Sequence, residues 1–324
     1  MQGYIILMHN MIKGTYIFYQ DGKEIYRSAN LITKSGKRYL TNFIAGNIPS
    51  PFKDLAFGIQ STAATDDDTR LKFEFYRCPV ILNGTDIQTT GATTTYSVIY
   101  KATIPQGVSG VISEVGLYPS TRTSLNNYDS KFLTDFSSFV DWVSYSGYNP
   151  EPMLNISGTT YTKIGDNILK MSSNGTATEE YVLNTNLDLS GYSVKDTITL
   201  AYYKFDNNLD SIGIEFYHTD NDYYTATITP PVGTGYKVSE DITLADLFLN
   251  STNAADASQI RKIGIVINPK SGLSTEVGMD GLRINDEDTF DPNFGLISRS
   301  VLGSPLVKLN GRSVDVEYKL DLSF

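Results

Sequence analysis

One cysteine, one tryptophan and two histidines in 324 residues leave little room for several classes of chemistry. The lone Cys78 forms no disulfide within the chain, so oxidative stapling does not hold one copy together. It reads as a small buried hydrophobe on a strand. His9, His218 and Cys78 are too few for a zinc cluster or for a Ser-His-Asp or Cys-His arrangement. Neither a G-x-x-x-x-G-K-[ST] loop nor a strand-linked G-x-G-x-x-G occurs, which leaves nucleotide chemistry unsupported. No apolar run approaches the ~20 residues that span a bilayer. The run Tyr4-Ile5-Ile6-Leu7-Met8 lacks the basic flank and cleavage site of a signal peptide. A chain made and kept in a cytoplasm is expected, with Met8 and Met11 as alternative starts. Positive charge is also short: 26 Lys+Arg against 36 Asp+Glu give a net charge of -10. That balance argues against binding a nucleic-acid backbone by counterion release.

What the chain does contain points to strands. It is 40% hydrophobic, with 22 Tyr and 15 Phe among many Thr, Ser, Asn and Gly, and its length accommodates two domains. Gln20-Asp21-Gly22 between two β-prone runs predicts a hairpin. After Ile32, a short helix is expected with Tyr39, Leu40, Phe43 and Ile44 on one face, ending by Gly46. Leu55 to Ile59 reads as a strand, and strict alternation in Leu71-Lys72-Phe73-Glu74-Phe75 suggests another. The acidic run Asp66-Asp67-Asp68 reads as a solvated loop or helix cap. The alternating stretch 95–104 is a long strand, and 111–118 is expected to return beside it as its antiparallel partner. Glu114 in that apolar strand either faces solvent or has a cation to offset desolvation, for which Arg77 or Arg38 is the candidate.

The order Asn30-Leu31-Ile32-Thr33 with Gly36, then Leu71 to Arg77, then Ile112-Ser113-Glu114-Val115-Gly116-Leu117-Tyr118 resembles a module of tailed-bacteriophage virion proteins. Phe294 to Ser300 and Val314 to Leu322 resemble the closing strands of the same module. Between them lies a run of short strands with Gly, Asn and Asp turns, the texture of an antiparallel sandwich. Its opening Phe136-Ser137-Ser138-Phe139-Val140-Asp141-Trp142 and closing Gly278-Met279-Asp280-Gly281-Leu282-Arg283-Ile284 are similar to jelly-roll carbohydrate-binding modules. The expected fold is mainly β: an antiparallel β-sandwich or barrel docking domain, residues 1–125 plus 291–324, with an inserted jelly-roll β-sandwich at 130–290. Surface loops tolerate such insertions, because closing a longer loop costs only slowly growing entropy.

Aromatic rings stack on sugar faces while neighbouring carboxylates and carboxamides take the hydroxyls. The candidates are Trp142, Tyr145, Tyr148, Tyr202, Tyr217, Tyr223 and Tyr224, beside Asp220, Asn221 and Asp222. Each aromatic taken alone fits the sandwich core at least as well. The jelly-roll resemblance further implies a structural calcium at Asp135 and Asp280, and no other cofactor is expected. A glycosidase needs two carboxylates facing across a cleft, a pairing that sequence spacing does not show. The resemblances together imply a non-enzymatic structural component of a phage virion: tail, baseplate, fibre or capsid appendage. Its expected partners are other virion proteins, further copies of itself in a symmetric assembly, and a host-surface glycan on the jelly-roll. A free carbohydrate-binding protein and a glycan-degrading enzyme are the alternatives.

Overall fold

The computed structural model describes residues 12–47, 52–119, 131–144, 151–154, 161–175, 178–286 and 295–323. The chain divides into two compact units, Met1–Thr123 with Phe290–Phe324, and Ser124–Thr289. In chain order the first unit supplies β1 (Ile12–Gln20), β2 (Lys23–Ala29), β3 (Leu31–Ile32), α1 (Lys34–Ile44) and β4 (Asp54–Gly58). It continues with β5 (Glu74–Pro79), β6 (Ile81–Thr90), β7 (Thr93–Ile104) and β8 (Gly110–Tyr118). The second unit opens with β9 (Lys131–Thr134), β10 (Trp142–Ser144), β11 (Glu151–Leu154), β12 (Asn167–Asn174) and β13 (Glu179–Leu187). β14 (Thr197–Lys204), β15 (Leu209–Tyr217), β16 (Tyr223–Ile228), β17 (Gly235–Val238) and β18 (Ile242–Thr243) follow. The short α2 (Leu244–Leu249), β19 (Ile260–Pro269) and β20 (Ser274–Asn285) complete it. The chain then returns to the first unit with β21 (Ser298–Lys308) and β22 (Val314–Ser323).

Two five-stranded antiparallel sheets, β2-β1-β22-β7-β6 and β3-β21-β8-β4-β5, form the first unit. Their facing residues, among them Tyr16, Phe18, Phe57, Ile112, Val316 and Tyr318, share one core. Full burial of such a side chain is worth about 1.5–3 kcal/mol. The β1–β2 hairpin turns at Asp21 (φ 52°) and Gly22 (φ 74°), the paired left-handed geometry that Asp-Gly favours. Thr33 caps α1 by accepting the Gly36 amide at 2.9 Å, and Tyr39 and Leu40 turn into the core. Phe43 and Ile44, expected on that buried face, stay 38% and 74% exposed. A Cβ at Gly36 would lie 2.0 Å from the Ile297 carbonyl oxygen, so only glycine lets the helix approach that strand entry.

Three expectations need correction. β7 and β8 do not form a hairpin: β7 pairs with β6 and β22, whereas β8 pairs with β4 and β21 in the facing sheet. Every residue of β8 is buried, as a central strand requires, and the turn at 105–109 crosses from sheet to sheet. Residues 71–73 lie outside any strand: Leu71 and Phe73 are buried from irregular backbone, and the strand starts at Glu74. The partner of Glu114 is neither Arg77 nor Arg38 but Arg299, whose Nε and Nη2 reach Oε2 at 2.8 and 2.7 Å. Arg77 instead pairs with Glu74 at 2.5 Å and lies over the Tyr118 ring. Arg299 is fully buried and also holds Asp68 at 2.8 Å, so that member of the acidic run is an internal anion.

The second unit is a sandwich of β10-β13-β19-β15-β16 on β11-β12-β20-β14-β17, with β9 added to β20 and β18 to β14. Trp142, Tyr181, Phe216, Ile263, Ile265, Met279 and Leu282 fill its centre. It departs from the first unit after β8 and returns before β21, and those two strands are direct neighbours: Leu117 opposes Ser298, and the Ile297 amide donates to the Leu117 carbonyl at 2.8 Å.

Candidate functional site

Alternation along each strand decides which side chains leave the core of the second unit. Ile263, Ile265 and Ile267 of β19 turn inward, so Lys262, Gly264 and Val266 take the outer face. β15 buries Ile212, Ile214 and Phe216 and turns out Gly213, Glu215 and Tyr217. β13 turns out Glu180 between Glu179 and the core residue Tyr181, and β16 turns out Tyr223 beside the core residue Tyr224. The register sets Tyr217 opposite both Tyr223 and Lys262, Glu215 opposite Gly264, and Glu180 opposite Val266.

These residues meet in one cleft of about 430 Å³, lined by Glu180, Glu215, Tyr217, Tyr223 and Val266 with Thr178 and Glu179. The Tyr217 and Tyr223 ring centroids lie 4.8 Å apart at 42°. A Cβ at Gly264 would come 2.9 Å from Tyr217 Cε2 and 3.0 Å from Glu180 Oε1. The bare glycine therefore lets the tyrosine lie across the strand and reach the carboxylate beyond it. Tyr217 Oη donates to Glu180 Oε1 at 2.6 Å and also contacts Glu215 Oε2. One phenol proton faces two carboxylate oxygens, and the two contacts compete for it. Burial first, then the Glu180 charge, raises the Glu215 carboxyl, against the lowering hydrogen bond from Tyr217. Burial and both carboxylates push the Tyr217 phenol up. The result is an acidic floor, with a phenol bridging two carboxyl groups, beside two aromatic rings.

Of the residues expected at a glycan site, Tyr217 and Tyr223 share this cleft. Asp220 and Asn221 sit in the β15–β16 turn beyond it, where Asp220 pairs with Lys262 at 2.5 Å. The Asn221 carbonyl accepts from Thr252 Oγ1 and Asn253 Nδ2 at 3.1 and 3.0 Å. The hydroxyl of Thr219, in the same turn, donates to Asp222 at 2.6 Å. Trp142 is not a platform: it is 4% exposed and stacks on Phe136 at 5.2 Å and 20°. Tyr202 is wholly buried, and Tyr224 packs on Phe248 with its hydroxyl on the Ala255 carbonyl at 2.8 Å. Tyr145 and Tyr148 lie outside the described residues.

The two carboxylates expected to hold calcium are each engaged by donors. Asp135 Oδ1 accepts from the amide and hydroxyl of Ser137 at 3.0 and 2.7 Å. Buried Asp280 accepts from Thr162 Oγ1 and the Lys163 and Ile164 amides at 2.7, 2.8 and 3.1 Å, and from the Tyr236 hydroxyl. Among the described residues no group of three or more His, Cys, Asp or Glu forms a metal-ligating cluster. Donors rather than a cation satisfy Asp280, whose carboxyl is raised to about 6 by burial.

Sequence reasoning missed Glu180 and Glu215. A signal was available: both are charges next to inward-facing apolar residues, Tyr181 for Glu180 and Ile214 and Phe216 for Glu215, and glycines lie in the outward phase at Gly213 and Gly264.

An antiparallel β-sandwich unit carrying an aromatic and carboxylate cleft on an outer sheet face, set within a second β-sandwich, is the class that this architecture defines. No protein-family model matches the sequence, and no curated protein matches it. Among solved structures, a family 11 carbohydrate-binding module from Clostridium thermocellum in complex with a β-1,3-1,4-mixed-linked tetrasaccharide is similar at 18% identity. It covers 48% of this chain and 95% of its own length, with a TM-score of 0.34. A family 30 carbohydrate-binding module of a cellulosomal cellulase from the same organism is 18% identical over 49% of this chain and 98% of that one, with a TM-score of 0.39. An exo-β-agarase is 15% identical over 50% of this chain and 26% of that one, with a TM-score of 0.37.

Proposed function

We propose that the protein is a non-hydrolysing glycan-binding protein whose inserted unit takes a neutral oligosaccharide on the outer face of β13, β19, β15 and β16. The observation that carries this reading is the Tyr217–Tyr223 pair beside Glu180 and Glu215 in the cleft. Aromatic rings offer apolar faces to a pyranose, and the carboxylates accept its hydroxyl protons. Binding without cleavage is favoured by the position of the Tyr217 hydroxyl, which occupies the space between the two carboxylates that a scissile bond would need. Their charge disfavours uronate or sulfated sugars.

A glycan array followed by calorimetry tests the reading. The full chain is expected to bind neutral oligosaccharides. Tyr223→Ala is expected to weaken that binding about tenfold, or about 1.4 kcal/mol, with unit 2 still folded by melting. A chain that binds no glycan, or a Tyr223→Ala variant that binds as tightly as the parent, overturns it. The release of reducing ends by the parent protein would turn the assignment toward a glycosidase.

A second reading places the chain in a phage particle with its first unit docked on other virion proteins, as the sequence resemblance implies. A long exposed edge strand, β6, favours it, because an unpaired edge can join further copies of the chain in a symmetric assembly. Antibody to the second unit at a fixed symmetric position on particles would support that placement, and unlabelled particles would overturn it.

A further inference from the structure

The edges of the first unit's sheets are guarded unequally. An exposed edge strand presents unpaired amides and carbonyls, and proteins ordinarily blunt it with charge, proline, shortness or cover. β2 carries Lys23, Glu24 and Arg27; β5 carries Arg77 and ends at Pro79; β3 is two residues long. β6 is guarded only by one charge, Asp86, and by a bulge between Leu82 and Gly84. It runs for ten residues, pairs among the described residues with β7 alone, and contains no Lys, Arg or Pro. Ile81, Leu82 and Ile87 on it are 66%, 62% and 64% exposed.

The face beside this edge is apolar too. Directly opposed residues of antiparallel strands share a face. The register places Ile87 opposite Tyr96, Tyr96 opposite Leu322, and Leu322 opposite Ile12. An unbroken apolar row therefore crosses four strands and ends at the bare edge, with Tyr96 45% and Ile87 64% exposed.

We propose that β6 is a self-association edge, and that its occupant is β6 of a second copy of this chain, antiparallel about a two-fold axis at Ile87. The sequence of the strand selects that register. Centred on Ile87, Ile87 opposes its own mate, Thr85 opposes Thr89, and Asp86 opposes Gln88, so no like charges meet. The apolar row then continues through the axis into the second copy and doubles in length. Centred one residue earlier, two Asp86 carboxylates would face each other, which is unfavourable. The bulge between Leu82 and Gly84 limits regular pairing to the segment 84–90, the part centred on Ile87. The product is one continuous ten-stranded sheet with closed two-fold symmetry. Pairing through β6 is independent of glycan binding by the second unit.

Sedimentation equilibrium of the full chain over a concentration series tests the proposal, with three variants. The parent is expected to dimerise, and Ile87→Lys, at an exposed position, to remain folded by melting and to be monomeric. Ile87→Cys under oxidation is expected to cross-link into a covalent dimer, because directly opposed Cα atoms lie about 4.5–5.5 Å apart, within the span of a disulfide. Asp86→Cys, opposite Gln88, is expected not to cross-link. The parent's one native thiol, Cys78, is buried and leaves the assay clean. A parent that stays monomeric to its solubility limit overturns the proposal, and so does a dimer that Ile87→Lys leaves intact. Cross-linking of Asp86→Cys in preference to Ile87→Cys overturns the register.

Discussion

Replacing Arg299 by methionine should cost the first unit more than any surface change. The guanidinium is fully buried, binds Glu114 at 2.7 and 2.8 Å and Asp68 at 2.8 Å, and donates to the Thr62 carbonyl at 3.0 Å. Methionine fills much of the volume and restores none of these bonds. Glu114, 0% exposed, keeps only the Phe73 and Lys72 amides at 3.1 and 3.3 Å. Breaking a buried pair from one side typically costs about 3–5 kcal/mol. At about 2–4 °C per kcal/mol for a unit of this size, the melting temperature should fall by about 6–20 °C. The loss should depend on pH with a defined sign. Burial raises the Glu114 carboxyl, and Arg299 lowers it. A group raised in the folded state favours folding below its unfolded value, and that contribution is lost as pH rises through the folded one. Removing Arg299 raises Glu114 further, so Arg299→Met should be least deficient near about pH 5 and most deficient near about pH 8. Calorimetry of parent and variant at both pH values measures this. A deficit below about 1 kcal/mol, or one that grows on acidification, would refute the assignment of Arg299 as the counter-ion.

Two further outcomes are expected in the second unit. Trp142→Ala should destabilise it by about 3–5 kcal/mol, read by denaturant titration; an unchanged midpoint would mean that Trp142 is not core. Asp280→Asn places an amide against donors from Thr162, Lys163, Ile164 and Tyr236 and should cost about 1–3 kcal/mol. In the parent, the Asp280 carboxyl is raised to about 6, so its contribution favours folding below the unfolded value of about 3.9 and is lost as pH rises through about 6. Melting the parent across that range, with Asp280→Asn as the reference lacking the titration, measures the difference.

Local chemistry was legible and non-local pairing was not. The Asp21-Gly22 turn, the short helix after Ile32 and the alternation of 95–104 are properties of a few adjacent residues, and each falls where the sequence places it. Alternation tells which face a side chain takes but not which strand lies beside it, so the neighbours of β8 were misassigned. Glu114 was recognisable as a charge in an apolar strand, yet its partner lies 185 residues away across the inserted unit. The tyrosines divided for a similar reason: adjacent Tyr223 and Tyr224 point to opposite faces, one into the cleft and one into the core. Only the phase of β16 against its neighbours distinguishes them.

The placement of the second unit between β8 and β21 has a consequence during synthesis. Both sheets of the first unit receive an inner strand, β21 or β22, only after the whole inserted unit has left the ribosome. At about 5–20 residues per second, β8 and the edge of β7 wait about 10–40 s for partners. The inserted sandwich can fold in that interval, and pairing of β9 with β20 then sets its own two ends, Lys131 and Ile284, side by side. For a flexible loop of that length, closure would cost about 3 kcal/mol more than for a four-residue turn, and the folded insert shortens the loop and lowers that cost. The unit that begins last can thus be the first to finish, leaving the outer one a shorter loop to close.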